Sequence, residues 1–303
     1  MSFFVLLIAL ALNHYRPLRR TDVLQLVFVP YADLLERNFN DGQARHGVIA
    51  WLLAVLLPVM VIGAVDLILD EINLLLGMLF AIGVLHITPR FGRFSRQPEQ
   101  IATWLRDGRL DDARELLRQW QGCDAREYNA TQVARVGIET TLRNAHHDLY
   151  APIFWFILLG PAGAVLYRLA YLLNNTWAGK SEAFADFTRR AFGWLDWLPA
   201  RFTAGSFAVV GDFEDAVYCW RTQAVAWADR ATGIFLSSGA GALGVRLGSP
   251  LPCNGSVEYR PELGLGDEAD ADYLRAATGL VWRVLALVLG LLLLLTFAHW
   301  LGN

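Results

Sequence analysis

Glu139, Asn144 and Asp148 fall at spacings of five and four along a helical stretch that runs into a long apolar segment, so the three roughly line one side of that helix where it meets the membrane. Carboxylates so placed could hold Mg²⁺ together with waters and a substrate phosphate. A charged helix end at the interface is the plainer reading and takes precedence. Arg168 lies inside the apolar stretch 150–173, where a cation is expensive and faces a polar cavity, a carboxylate or backbone carbonyls. Snorkelling competes, because Arg168 is five residues from the end of the stretch. Asp66 admits the same two readings, and the nearby acidic turn at Asp70 favours the interface.

Other patterns are weaker. Residues 239–244 spell GxGxxG, but that fingerprint binds dinucleotides only between a strand and a helix, and no βαβ unit is apparent. Close packing by small residues is preferred over an anion held by backbone amides and Arg246. His146 and His147 are adjacent rather than four apart, which is poor metal geometry and suggests an interfacial position. Cys123, Cys219 and Cys253 have neither metal spacing nor a CxxC pair, so they read as reduced thiols. Asn254-Gly255-Ser256 is a glycosylation tripeptide by spelling only.

The elements that must position these residues are mostly apolar. Two blocks, 48–87 and 280–301, make the chain an integral membrane protein. The first is interrupted only by Pro58, Asp66 and the cluster Asp70-Glu71-Ile72-Asn73. It is too long for one crossing, since about 20 apolar residues span a bilayer, and a helical hairpin follows. A 55% hydrophobic composition and mean hydropathy of +0.34 coexist with 18% charged residues, so membrane and water share the chain. The net charge of -3 gives no reason to expect nucleic acid.

Residues 1–12 lack a basic leader region and a cleavage site, and read as a retained short helix that crosses or lies in the interface. The stretch 150–173 is a span kinked at Gly160-Pro161. Residues 192–210, with Asp196 and Arg201 around Pro199, read as a further crossing, with re-entrant and interfacial placements as alternatives. Arginines concentrate in 13–47 and 89–149 and are missing from the 70–73 turn, which puts both arginine-rich segments in the cytoplasm. If 192–210 crosses, 211–278 is cytoplasmic; otherwise it is periplasmic. Ile101, Trp104 and Leu105, a turn at Asp107-Gly108, then Leu110, Ala113, Leu116, Leu117 and Trp120 spell a helical hairpin with one apolar face. The acidic stretch 258–272 reads as a solvated loop. The expected fold is an all-α, polytopic integral membrane helical bundle with a cytoplasmic helical segment. Its parts are 1–88 (first helix and transmembrane hairpin), 89–149 (cytoplasmic helices) and 150–303 (a core with two or three further membrane segments).

The runs LYAPIFWFILLGPAGAVLYRLAYLL (149–173), WLDWLPARFTA (194–204) and SSGAGALGVRLG (237–248) resemble successive landmarks of the CobD/CbiB family. Its synthases join an aminopropanol phosphate to adenosylcobyric acid, using ATP and a divalent metal, on the route to cobalamin. The resemblance runs from about residue 89 onward. Residues 122–128 and the WLDWLPARF run look more like the AmpE branch, inner-membrane proteins linked to β-lactamase induction alongside the AmpD amidase. Glu139, Asn144, Asp148, Arg190, Arg201 and Arg246 match the synthase pattern. Departures are Asn13-His14-Tyr15-Arg16-Pro17 for an acidic His-Pro motif, Asn174 for the acid of Asn-Thr-Leu-Asp, Phe192 and Gly193 for a paired Asp, and Ala231 for the Asn of Ser-Pro-Asn.

Replacing acidic metal ligands by neutral groups removes the electrostatic basis of an ATP-dependent condensation. The resemblance therefore implies a non-catalytic regulatory or sensory protein of the AmpE type, multi-pass in the bacterial inner membrane, acting in β-lactamase induction and the response to β-lactams or cell-wall status. Its ligand site would comprise Glu139, Asn144, Asp148, Arg168, Asn174, Arg190, Arg201 and Arg246, with no catalytic residue, metal or cofactor. Arginines suit an anion such as a nucleotide or muropeptide. The other expected partners are the lipid bilayer and, functionally, an AmpD-type amidase. The alternative is an adenosylcobinamide-phosphate synthase with Mg²⁺ and ATP. A transporter would need an inverted repeat, and none is apparent.

Overall fold

Asn73 decides how the first apolar block folds. It is extended (φ −163°, ψ 123°) between α4 (Leu57–Ile72) and α5 (Leu74–Ile87), and its side chain accepts a hydrogen bond from the Leu75 amide. One residue thus ends one helix and caps the next, and the expected hairpin forms. This is a computed structural model, and it describes residues 2–15, 23–41, 43–88, 96–121, 124–253 and 256–302. Arg16, Pro17, Gly122, Cys123 and the Asn254-Gly255 of the tripeptide, on which expectations were placed, lie outside the described residues.

The chain divides into two units. The first comprises Met1–Phe91, His147–Pro199 and Leu292–Asn303. In it α1 (Ser2–Tyr15) packs on α5, while α2 (Val23–Phe39), α4 and α5 pack on α9 (Ala151–Trp177). Its core joins Phe28 and Ala32 of α2, Ala50 and Trp51 of α3 (Ala44–Trp51), and Leu169, Leu173 and Trp177 of α9. A π turn, Leu52–Leu56, joins α3 to α4, and the Tyr31 hydroxyl donates to the Leu53 carbonyl within that turn at 3.0 Å. No residue of α4 is buried, and Met60, Val61, Leu67 and Ile68 are exposed along it. Such a surface is stable only against hydrocarbon. Gly160 (φ 65°, ψ −155°) breaks α9 ahead of Pro161, as expected where proline removes a donor and crowds the preceding turn.

The second unit comprises Gly92–His146 and Ala200–Leu291. The predicted hairpin is α6 (Arg96–Arg106) and α7 (Leu110–Gln121), turning at Gly108 (φ 73°) and burying Ile101, Ala102, Ala113, Leu117 and Trp120. Both helices pack on α8 (Ala130–Ala145), which starts with a capping box between Asn129 and Gln132. The GxGxxG run forms the end of α12 (Arg230–Leu243) and its C-cap Gly244, and α12 packs on α11 (Phe213–Gln223) and α8. A Cβ at Gly241 would come within 2.4 Å of the Asp215 carbonyl oxygen, so the run is a packing surface. The 258–272 stretch is not simply a solvated loop. β1 (Val245–Arg246) pairs in parallel with β4 (Asp267–Glu268), and Leu247 bridges Leu263, which is fully buried. Antiparallel β2 (Leu251–Cys253) and β3 (Ser256–Glu258) complete it. The expectation failed because two-residue pairings leave no alternating pattern to read.

Helix α10 (Glu182–Val210) passes unbroken through Pro199, and α13 (Ala271–Gly302) closes the chain. Among the described residues three helices are long and apolar enough to cross a membrane, Ala44–Ile72, Ala130–Trp177 and Ala271–Ala298; Phe3–Asn13 and Leu74–Ile87 are shorter apolar helices. The segment 192–210 is not among the three. The protein is an all-α helical membrane protein.

Candidate functional site

Helix α8 runs into α9 through a π turn, His146–Tyr150, a local widening often found where side chains are aimed for function. The turn carries His147 and Asp148, and both are buried. In the first unit Asp148 Oδ1 accepts a 2.5 Å hydrogen bond from Arg168 Nη1, and Arg168 is 1% exposed. Arg168 therefore does not snorkel; it is neutralised in place. Its guanidinium also lies 5.7 Å from the centre of the Tyr171 ring.

Beside this ion pair runs a chain of hydrogen bonds. The Tyr167 hydroxyl donates to Asp196 Oδ1 at 2.7 Å, and His147 Nδ1 lies 2.8 Å from the same hydroxyl. All three residues are buried. Tyr167 and Tyr171, one helical turn apart on α9, both stack against the His147 ring, with centroids 6.4 and 4.5 Å away. The Phe192 ring lies 5.7 Å from each tyrosine ring and 6.1 Å from His147. Trp155 Nε1 donates to the Leu195 carbonyl at 3.2 Å, which ties α10 to α9 at this level.

The second unit holds its own buried carboxylate. Glu139 Oε2 accepts from Arg260 Nη1 at 2.6 Å, while Oε1 accepts from Arg260 Nη2 at 3.3 Å and from the Gly248 amide at 2.8 Å. Arg260 also lies over the Trp227 ring at 5.8 Å. The turn it grips is strained: Gly248 has φ 77° and Ser249 φ 70°, the only positive value for a non-glycine among the described residues. His146 Nδ1 bonds Thr203 Oγ1 at 2.8 Å, and its ring stacks on Phe235 at 4.3 Å. Neither histidine is interfacial as expected, because each finds a buried hydroxyl partner that its sequence position does not reveal.

Of the other predicted residues, Arg190 is exposed and paired with Asp186 at 2.5 Å, and Arg246 is exposed, 3.9 Å from Glu268. Asn144 and Arg201 are half-buried. Asn174 is half-buried too, and its buried Oδ1 accepts no hydrogen bond among the described residues. The Cys219 thiol is pushed up to about 11, by burial first and Asp215 second, so it is an inert core group.

A family profile described as CobD/Cbib protein matches residues 25–281. The chain belongs to the CobD/CbiB family. It is 34% identical over 290 residues, 91% of each chain, to a cobalamin biosynthesis protein CobD of Stutzerimonas stutzeri. To the CobD of Chromobacterium violaceum it is 34% identical over 233 residues, covering 72% of this chain and 73% of the relative. To that of Mycobacterium tuberculosis it is 27% identical over 191 residues, 60% and 61% of the two chains. No solved structure matches it.

These relatives correct the expectation of an AmpE-type regulator of β-lactamase induction. Two of them carry the cobalamin biosynthesis name over 91% and 72% of this chain. Asp196 stands one helical turn beyond Phe192 and Gly193, on the same side of α10, and is buried in a polar network. The family's divalent metal is a separate matter. Magnesium needs several hard oxygens that are not already committed. Both oxygens of Glu139 are held by Arg260 and the Gly248 amide, and Asp148 is the counter-ion of Arg168. Neither carboxylate is set up as a magnesium ligand.

Sequence reasoning missed His147, Tyr167, Asp196 and Arg260 as site residues. Asp196 carried a usable signal, an acid within an apolar run, the same argument that singled out Arg168. Arg260 carried none, being one arginine beside a proline in a stretch read as loop.

Proposed function

We propose that this protein is an adenosylcobinamide-phosphate synthase, multi-pass in the bacterial inner membrane. It joins the amine of an aminopropanol phosphate to a carboxyl group of adenosylcobyric acid at the expense of ATP. The observation that carries the reading is the 34% identity to a cobalamin biosynthesis protein CobD across 91% of both chains, a span that leaves little of either protein unmatched.

The buried polar groups support it. A carboxylate and an ammonium do not condense in water; the carboxyl oxygen must first be phosphorylated by the nucleotide, and the ammonium must lose a proton. A site shielded from water protects the activated carboxyl from hydrolysis and strengthens each fixed charge around it. The reading is supported by the buried polar cluster of the first unit, in which Asp148 meets Arg168 and Tyr167 joins His147 to Asp196 beside Phe192 and Tyr171. Purified protein in lipid nanodiscs, given adenosylcobyric acid, aminopropanol phosphate and ATP, is expected to form the amide product at a rate within reach of an established synthase run in parallel. A folded preparation that forms none would retire the reading.

A further inference from the structure

By length and composition, Ala130–Trp177 is one apolar helix. The geometry of α9 is that of a helix folded back on itself at Gly160. A straight helix rises 1.5 Å per residue, which would set Trp155 and Gly163 about 12 Å apart and Asp148 and Arg168 about 30 Å apart. Instead Asp148 meets Arg168 at 2.5 Å, His147 meets the Tyr167 hydroxyl at 2.8 Å, and a Cβ at Gly163 would overlap the Trp155 carbonyl oxygen. The partners close in on Gly160 from both sides, which is the pairing of an antiparallel helical hairpin. Gly160 makes the turn at φ 65°, a conformation that costs a glycine little.

The tip of this hairpin and its exit have different neighbours. At the tip, a Cβ on Gly160 would be 3.6 Å from Asp66 Oδ2, and one on Gly63 would be 3.5 Å from Ala162 Cβ. Asp66 is six positions short of Ile72, where α4 ends, or about 9 Å at the helical rise. Non-helical backbone at such depth is tolerated only against protein, and α4 covers it. At the exit, Lys180 Nζ pairs with Glu36 Oε2 at 3.3 Å, and Ser181 Oγ donates to Asn40 Oδ1 at 3.0 Å. Glu36 and Asn40 precede the first apolar block, on its arginine-rich side. Charge agrees independently. Residues 178–190 carry Lys180, Arg189 and Arg190, and a single crossing would set all three on the face of the 70–73 turn, which has no basic residue.

We propose that α9 is a re-entrant hairpin: it enters the bilayer from the arginine-rich, cytoplasmic face, turns at Gly160 and leaves by the same face. Its tip, Ile157, Leu158 and Leu159, is 37%, 54% and 52% exposed and is a surface for lipid acyl chains. The Asp148–Arg168 pair and the His147–Tyr167 contact brace the two arms against each other. Residues 174–190 are then cytoplasmic. The inference does not depend on the synthase reading, and inactive protein serves equally well to test it.

Two measurements on the full chain test it. The first is labelling by a membrane-impermeant maleimide in spheroplasts and in inverted vesicles, read peptide by peptide so that the native cysteines stay in place. Ala178 and Gly179 are exposed, and a Cβ at Gly179 meets nothing within 4 Å. Ala178→Cys and Gly179→Cys are expected to label in inverted vesicles together with Arg45→Cys, and to lose labelling in spheroplasts, where Glu71→Cys labels. Labelling of either in spheroplasts alongside Glu71→Cys would show a single crossing and overturn the proposal. The second places a nitroxide at Leu158→Cys, whose signal should relax with dissolved oxygen and not with a water-soluble nickel chelate. Relaxation dominated by nickel would put the tip in water and overturn the proposal as well.

Discussion

Asp148 and Arg168 are 20 positions apart and meet at 2.5 Å inside one unit; Glu115 and Arg118 meet at 2.7 Å across a single turn of α7 on the surface of the other. The chemistry is the same, a carboxylate on a guanidinium. The surroundings are opposite: side-chain exposure is 8% and 1% in the first pair, 52% and 48% in the second. An exposed pair trades one set of water contacts for another and contributes little. A buried pair has no water to fall back on, so each partner depends on the other. Burial of the pair, rather than the pairing itself, therefore marks where structure is at stake.

That contrast can be broken most directly at Asp148. Asp148→Ala should cost about 3–5 kcal/mol, because it strands Arg168 in the interior. Thermal unfolding of the protein in detergent would read it. Asp148→Ala combined with Arg168→Met should recover most of the loss, since replacing a whole buried pair by apolar groups is close to neutral. A single variant as stable as the wild type would erase the distinction drawn here.

Next in size is the turn gripped by Glu139. Gly248→Ala places a side chain at φ 77° and its Cβ against the Pro261 carbonyl oxygen. A cost of roughly 1–3 kcal/mol follows from backbone strain alone, seen in the same unfolding measurement. If the variant unfolds like the wild type, the Glu139–Arg260 contact does not depend on that turn.

The smallest effect belongs to Glu115, whose carboxyl is lowered from 4.5 to about 2 by its hydrogen bond with Arg118, then by that with Gln119. A depressed acid stabilises the folded state above its unfolded pKa and loses that contribution as pH falls from about 4.5 towards 2. Hydrogen exchange of the α7 amides should show slightly weaker protection over that window in the wild type, and Glu115→Gln should flatten the dependence. Its unfolding midpoint at neutral pH should match that of the wild type. A large shift there would show that this exposed pair behaves like a buried one.

Much of the fold is legible along the chain because its causes are local. Asn73 stops one apolar helix and caps another, Gly160-Pro161 breaks α9, and Asp107-Gly108 turns α6 into α7; each acts within a few residues. The small residues of 239–244 read as packing for the same reason. The candidate site was only half legible. Arg168 announced itself by charge in apolar surroundings, but Asp148 was noticed only by its spacing and read by preference as a charged helix end, His147 was read as interfacial and Arg260 not at all. Glu139 and Arg260 are 121 positions apart, and no period or motif links them. The AmpE-type reading failed because it weighed a few single positions, whereas a relative named for cobalamin biosynthesis matches over 91% of the chain.

By itself, then, the sequence determined that this is a helical membrane protein, because apolar runs of about 20 residues must satisfy their backbone internally and face hydrocarbon. Only the tertiary structure decided which carboxylate each buried arginine meets and which hydroxyl lies beside each buried histidine. Burial forces every charge and donor to find a partner, and the partner is whichever group the packed helices bring within about 3 Å.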